Sequence, residues 1–268
     1  MPEDANYYDR FADTEQKTQK PERKEKKALS GEAGLSLVKV YGYMFIGLLI
    51  TAAIAGGLGA LFRYILGIDF NVDIDTKLAT TSVIILLIAL IVSFIALLVL
   101  SFVVPFQVAR GRHSILVPSI LYTVFMGIAL STLCIFIDWS ILGVTFGITA
   151  LVFGLMSLIA LLSKGRLNGL AIAAMGLFIG AGMLALILWI LMLVGFFSGT
   201  LYWIISFAVF AGVMLITIWD MARIKNIAQK GEMTNNVSLY CAYILYNDFI
   251  IIFLRILRFV LIIMGNKK

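Results

Sequence analysis

Three charged side chains stand inside one long apolar stretch near the end of the chain. Asp248, Arg255 and Arg258 interrupt residues 237–264, and a second acid, Asp220, ends the apolar stretch before it. A charge at the centre of a bilayer costs about 2.5–3.5 kcal/mol on insertion scales. We therefore expect each of these side chains to face the interior of a helix bundle and to find a partner or, for an acid, to bind a proton.

The two acids would act as one unit if the fold brings them together. Carboxylates that share a poorly hydrated site titrate as a coupled pair, because each charge disfavours the other. With one proton between them, Asp220 and Asp248 can share a hydrogen bond and join two helices. When both are ionised, they repel each other unless a divalent cation or an arginine intervenes. The pair is a candidate pH-sensitive latch on an ion path, although spacing along the chain does not itself bring the two together.

Structural alternatives stay open for both acids. Asp220 comes three residues before Arg223, which can balance its charge at the membrane boundary. Asp248 can belong to a fixed ion pair with an arginine. Arg255 follows Asp248 by seven residues, a spacing that puts both on nearly the same side of a helix, whereas Arg258 is rotated away from that line.

The composition identifies the setting of these residues. Of the 268 residues, 62% are hydrophobic, whereas soluble domains contain about 45–50%. A helix needs about 20 apolar residues to cross about 30 Å of hydrocarbon. Helices also satisfy their own backbone groups, which find no water in lipid. We therefore predict an all-α polytopic membrane bundle of seven transmembrane helices. The predicted spans are 40–66, 79–104, 115–137, 141–163, 168–197, 201–222 and 237–264.

The predicted bundle occupies residues 35–268, and residues 1–34 form a charged tail that we expect to be disordered and cytoplasmic. Basic residues dominate the linkers 105–114, 164–167 and 223–236, and cytoplasmic loops carry such an excess. The N-terminus is therefore predicted to be cytoplasmic. These bases orient the protein and do not indicate nucleic acid as a partner. Seven crossings leave the C-terminus outside. The alternative, which stays open, is a last span that enters the membrane and returns to the same side.

Small residues and cysteines give two further predictions. Glycines in the first and fifth spans predict close contacts between helices, because backbone approach drives helix association in lipid. The two cysteines are expected near opposite faces of the membrane and therefore unpaired. The residues concerned are Gly56, Gly57, Gly59, Gly176, Gly180, Gly182, Cys134 and Cys241.

Enzyme chemistry is not expected. The single histidine, His113, lies in a predicted loop without a cluster of cysteines or acids near it in the sequence, so a zinc site is not indicated. No histidine in any span can activate a buried serine. We predict neither a catalytic residue, nor a resident metal, nor a cofactor.

The order and spacing of several short motifs resemble the Bax inhibitor-1 family, also called the transmembrane BAX-inhibitor-motif proteins. The resemblance covers about residues 36–264. The residues that carry it are Val40-Tyr41, Met44, Gly47-Leu48 and Thr51-Ala52 in the first span, Ile218-Trp219-Asp220 and Ile224-Lys225 in the sixth, and Leu239-Tyr240, Tyr246-Asn247-Asp248-Phe249, Phe253, Leu257 and Arg258 in the seventh.

This resemblance implies a bundle whose last helix is central. It also implies that Asp220 and Asp248 match the family's paired acids, which sense pH and gate a calcium leak. An arginine can pair with these acids in the closed form, and the candidates for this counter-charge are Arg110, Arg255 and Arg258. Ile251 stands where the family pattern has an asparagine, and Arg255 occupies another polar position of the pattern. A positive charge at Arg255 argues against cation conduction more than against the fold.

Two functions of different classes follow. The first is a pH-sensitive, calcium-permeable leak channel or transporter in a bacterial cell membrane, gated by the paired-aspartate latch. Its partners would be the lipid bilayer and calcium ions or protons. The alternative is a non-conducting membrane regulator that binds a partner such as an ATP-dependent membrane protease through its N-terminal tail. A purely structural bundle with a buried ion pair predicts no response to pH in either flux or binding.

Overall fold

Seven α-helices make up almost all of the described structure. The computed structural model describes residues 31–66, 76–110, 114–163, 168–193 and 199–265, and within these ranges it contains no β-strand. The helices are α1 (Gly31–Ile65), α2 (Thr76–Arg110), α3 (Leu116–Phe136), α4 (Trp139–Leu162), α5 (Asn168–Leu193), α6 (Gly199–Gln229) and α7 (Asn235–Gly265). The seven helices confirm the all-α prediction.

The predicted tail lies mostly outside this description. Residues 1–30 are not among the described residues, whereas residues 31–34, which the sequence assigned to the tail, are the first turn of α1. Ala33 is buried against the bundle. Helix α1 therefore begins before the apolar span that predicted it.

Six helices, α1 to α6, are long and apolar enough to cross a membrane by composition alone. Helix α7, which carries Asp248, Arg255 and Arg258, is not among these six in the described part of the chain. It is nevertheless continuous over 31 residues, a length of about 46 Å at 1.5 Å per residue. This exceeds the roughly 30 Å of hydrocarbon that a crossing requires. A single unbroken helix contradicts the alternative in which the last span re-enters and returns.

Helix α7 lies at the centre of the bundle. It contacts α1, α2, α3, α4 and α6, and its side chains at Leu245 and Ile252 are completely buried. Helices α2 and α5 lie at the periphery, where most of their side chains are exposed, as lipid-facing helices require. Helix α5 packs mainly against α6. The predicted central position of the last helix is confirmed.

Helix α6 is longer than its apolar span predicted, since it continues to Gln229 rather than ending near residue 222. Beyond Asp220, its inward side still buries apolar residues, including Ile224 and Ala228. The helix ends at Gly231, which has a φ of 73°. The Glu232 N–H donates to Ile227 O at 3.4 Å, which is the hydrogen bond of a Schellman C-cap.

Basic side chains bind the C-terminal carbonyls of two neighbouring helices. The Lys225 Nζ donates to Leu161 O at 2.5 Å and to Ser163 O at 3.0 Å, at the end of α4. The Arg63 guanidinium donates to Ile135 O at 3.2 Å, near the end of α3. Both contacts satisfy carbonyls that a helix leaves unpaired, and they place a cation at the negative end of the helix dipole.

Gly59 brings α1 into close contact with α3, as predicted for the first span, whereas a Cβ added to Gly57 in the same span would meet open space. A Cβ atom added to Gly59 would overlap the Cβ of Cys134, and one added to Gly127 would lie 2.8 Å from the Cβ of Ile54. The prediction for the fifth span is wrong. Added Cβ atoms there would meet open space, because α5 is peripheral and presents these glycines away from its neighbours. The glycines concerned are Gly176, Gly180 and Gly182.

Candidate functional site

A short loop between α6 and α7 brings their acidic residues to similar depths. Asp220 comes nine residues before the last residue of α6, and Asp248 comes thirteen residues after the first residue of α7. In an antiparallel pair this leaves a difference of about four residues, or about 6 Å. With the predicted span ends at residues 222 and 237, the same comparison gives a difference of about nine residues, or about 14 Å, because the sixth span was predicted to end too early.

Asp248 is the buried member of the pair. Only 8% of its surface is exposed, and its Oδ2 atom has no hydrogen-bond partner in the described part of the chain. The groups that act on its carboxyl are the Thr217 hydroxyl and the Asp220 carboxylate, both on α6. The structure therefore puts the two predicted acids within electrostatic reach of each other.

The Thr217 hydroxyl limits how Asp248 can be hydrogen-bonded. Thr217 is completely buried, and its Oγ1 donates to Val213 O at 2.9 Å. A hydroxyl has a single proton to donate. In this rotamer Thr217 can therefore accept a hydrogen bond from Asp248 but cannot donate one to it. A hydrogen bond between them requires Asp248 to carry the proton, and an ionised Asp248 would require Thr217 to rotate away from Val213.

Asp220 lies in a more open place and has a cation nearby. Its side chain is half-buried, and Arg223, one turn further along α6, is the charge that acts on it. The Arg223 guanidinium is exposed and lies 5.5 Å from the centre of the Trp219 ring. This arrangement agrees with the interpretation of Asp220 as a boundary acid, and it leaves Asp248 as the acid on which no cation of the described residues acts.

A cysteine and a threonine belong to this site although the sequence analysis did not assign them to it. Cys241 is buried, unpaired, and within electrostatic reach of Asp220 and Arg223. It precedes Asp248 by seven residues, as Thr217 precedes Asp220 by three, so both spacings place the residue on the acid's own helix face. This periodicity was the available signal. Residue type was a weaker signal for Cys241, because cysteine is among the residues most often buried for packing alone.

The three arginines predicted as counter-charges lie in different places. Arg110 is exposed at the end of α2, and its guanidinium lies 4.2 Å from the ring centre of Phe106 on the same helix. Arg258 is exposed and lies 4.8 Å from the ring centre of Tyr202. Arg255 is half-buried on the side of α7 that carries Asp248, about 10 Å further along the helix. His113 lies outside the described residues.

The opposite side of α7 carries a network of hydroxyl and amide groups. The Thr51 Oγ1 donates to Thr123 O at 3.1 Å, so the Tyr246 hydroxyl, 2.6 Å away, is the donor to Thr51. The Tyr122 hydroxyl donates to the Asn247 Oδ1 at 2.6 Å. These bonds join α7 to α1 and α3. They fix the rotation of α7 and thereby turn Asp248 towards α6.

The acids do not form a closed metal site. Within the described ranges, no group of three or more His, Cys, Asp or Glu side chains is placed to hold a metal ion. Two carboxylates with a threonine and a thiol nearby can attract a cation, but they provide fewer oxygen ligands than the six to eight that calcium takes.

A comparison with known protein families adds a second line of observation. The family model described as "Inhibitor of apoptosis-promoting Bax1" matches residues 35–267. The chain belongs to the Bax inhibitor-1 family. The match covers all seven helices from the first turns of α1 onward, and the resemblance noted from the motifs is confirmed.

Bacterial relatives of this Bax inhibitor-1 family chain match over most of their length. The inner membrane protein YbhL of Escherichia coli K12 is 29% identical over 247 residues, which cover 88% of this chain and 94% of YbhL. An uncharacterized protein of Rickettsia prowazekii is 28% identical over 238 residues, which cover 87% of this chain and 89% of that protein. No solved structure matches the chain. The chain is a multi-pass membrane protein with an inner membrane protein among its relatives.

Proposed function

We propose that this member of the Bax inhibitor-1 family is a pH-sensitive, calcium-permeable leak channel or transporter in which Asp220 and Asp248 form the latch. The observation that carries the proposal is the buried Asp248 carboxyl, whose Oδ2 is unsatisfied and whose neighbours are Thr217 and a second acid. A buried charge in such a place needs a proton or a cation to offset it. Occupancy of this site is therefore linked to the relative position of α6 and α7.

Protonation would hold the two helices together. A neutral Asp248 donates to an oxygen on α6, either the Thr217 hydroxyl or the Asp220 carboxylate. Loss of the proton removes this hydrogen bond and leaves two like charges in a poorly hydrated place, where repulsion is stronger than in water. The charges then separate or admit a cation, and either response loosens the contact between α6 and α7.

Calcium suits a site of this kind as a passing ion rather than a bound one. Conduction requires that an ion bind well enough to enter and weakly enough to leave. Two carboxylates without a full ligand shell meet this condition. Among the predicted counter-charges, Arg255 is the best placed to compete with the ion, because it lies on the same side of α7 as Asp248.

The orientation of the chain in the membrane forms part of the proposal. The end of α6 and the α6–α7 loop carry Arg223, Lys225 and Lys230 at one end of the bundle, and the loop between α3 and α4 at the other end carries Asp138. Short loops rich in Lys and Arg remain in the cytoplasm. We place the N-terminus and the α6–α7 loop in the cytoplasm, so that the acids exchange protons with that side.

The test is calcium flux from vesicles that contain the purified full chain, measured across a range of pH. A gate controlled by one proton changes its open population by at most about tenfold per pH unit. We expect the native protein to show such a dependence and Asp248→Asn to lose it, because an amide does not titrate in this range. Flux in that variant should be the same at all pH values tested.

Glu232→Gln is the matched control. It makes the same change from acid to amide at an exposed position in the α6–α7 loop, and it should leave the pH dependence intact. Flux that titrates in Asp248→Asn as it does in the native protein would contradict the latch. Absence of calcium flux at every pH, in vesicles whose protein remains helical, would contradict conduction and favour the regulator.

A further inference from the structure

A groove lined by apolar side chains and one arginine opens between α3 and the C-terminal half of α7, beyond Asp248. Its volume is about 460 Å³, and it is wide open to the surroundings. The residues that line it are Leu133, Leu254, Leu257, Arg258, Leu261 and Ile262. All but one of these side chains are apolar, so the groove combines a hydrocarbon surface with a single positive charge.

The aromatic residues around the groove indicate its depth in the membrane. Arg258 lies over the ring of Tyr202, near the start of α6, and the neighbouring Trp203 ring is stacked on that of Phe259 at 6.1 Å. At the same end of the bundle, Trp139 begins α4. Trp and Tyr are enriched at the level of the lipid headgroups. The Arg258 guanidinium is therefore at the height of the lipid phosphates.

Arg258 has no carboxylate partner among the described residues, and its only recorded contact is with the Tyr202 ring. Arg255 lies one turn nearer the membrane centre and likewise forms no ion pair with a described residue. A guanidinium presents several N–H donors in a fork that fits the oxygens of a phosphate. Stacking on Tyr202 leaves the edge of the guanidinium, which carries these donors, available.

We propose that this groove binds one anionic phospholipid, with its phosphate on Arg258 and an acyl chain along Leu257 and Leu254. Leu254 and Leu257 precede Arg258 in α7 and so lie nearer the membrane centre, which is the direction an acyl chain takes from its phosphate. The walls offer a surface for the chain and the arginine offers a charge for the headgroup. Both leaflets contain phosphates, so the proposal holds for either orientation of the chain.

Trp203 provides a reporter for this site. In a variant with Trp139, Trp189 and Trp219 replaced by Phe, the fluorescence comes from Trp203 alone, which is stacked on Phe259 beside Arg258 and is quenched by the lipids next to it. We would reconstitute this variant in vesicles that contain brominated phosphatidylglycerol or brominated phosphatidylcholine at matched mole fractions. We expect the anionic lipid to be preferred about fivefold, the ratio that one arginine near an anionic surface supplies.

Two substitutions of Arg258 separate charge from structure. Arg258→Gln should reduce the preference to about one, whereas Arg258→Lys keeps the charge and should retain most of it. Arg223→Gln is the control, because Arg223 is also exposed and also lies over an aromatic ring, that of Trp219, towards the other end of α6. That variant should keep the native preference.

Three outcomes would overturn the proposal. The first is equal quenching by both lipids with native Arg258. The second is an unchanged preference in Arg258→Gln with native helix content. The third is an equal loss of preference in Arg223→Gln, which would show that the overall charge of the protein attracts the lipid.

Discussion

A single methyl group is enough to test the contact between α1 and α3. Gly59→Ala places a Cβ against the Cβ of Cys134, and neither helix can move without disturbing its other contacts. Overpacking of this kind typically costs about 1–3 kcal/mol. We expect a lower midpoint of unfolding, measured by circular dichroism in detergent as the temperature rises.

Gly57→Ala is the matched control for this prediction. Gly57 is on the same helix, two residues away, and a Cβ added there meets open space. Its replacement should be neutral or slightly stabilising, since Ala is favoured over Gly in a helix. Equal destabilisation by both substitutions would show that the cost arises within α1 and not at its contact with α3.

These glycines also show how far individual residues could be interpreted from the sequence. The glycines in the apolar spans indicated close packing between helices. The sequence does not show, however, which of these glycines face a neighbouring helix. Gly59 therefore agrees with the prediction and Gly180 does not. Likewise, Asp248 was recognisable as a costly charge in an apolar stretch. Its contact with Thr217 was not predictable, because it joins two helices and depends on their relative rotation.

Among the helices, the end of α4 depends on a side chain from α6. The Lys225 Nζ donates to two carbonyls there, and Lys225→Gln removes the positive charge from the negative end of the dipole. A cation in this position contributes about 0.3–1 kcal/mol, and up to about 2 when partly buried. We expect faster hydrogen exchange in the last turn of α4, measured by mass spectrometry.

Lys230→Gln serves as the comparison for the helix end. Lys230 is exposed beyond the end of α6. Its replacement removes the same charge but no hydrogen bond to the described carbonyls of α4. Exchange in α4 should remain native in this variant. If both substitutions accelerate exchange equally, the effect comes from net charge and Lys225 does not cap α4.

The number of helices was predictable because each membrane crossing needs a minimum number of consecutive apolar residues. Helix ends were not, because α1 and α6 continue into the aqueous phase, where the hydrocarbon no longer determines which residues are favourable. The extension of α6 to Gln229 matters most for the site. It brings Asp220 to the depth of Asp248, so an error of two turns at a helix end changed the predicted distance between the acids.

The assembled bundle makes a prediction about topology. In a chain with Cys134 and Cys241 replaced by Ala, a new cysteine at Asp138 tests the α3–α4 loop, and one at Glu232 tests the α6–α7 loop. A maleimide that cannot cross the membrane should label Asp138→Cys in intact cells. It should label Glu232→Cys only after permeabilisation, because basic loops remain in the cytoplasm.

Reversed labelling would place the N-terminus outside and would move the acids to the other face. Labelling of both cysteines from the same side would contradict the alternation of helices through the membrane. Reversed labelling would leave the helical packing unchanged, since charge patterning governs orientation and the packing depends on contacts within the bundle.

The hydroxyl network of Tyr246 and Asn247 has a mechanical consequence for the bundle. Because it anchors α7 to α1 and α3 beside Asp248, we expect α7 to keep its position relative to those two helices. In the proposed latch, a change of charge at Asp248 would therefore move α6 rather than α7, and α5, which packs mainly against α6, would move with it. The lipid around this outer pair of helices would resist or permit their displacement.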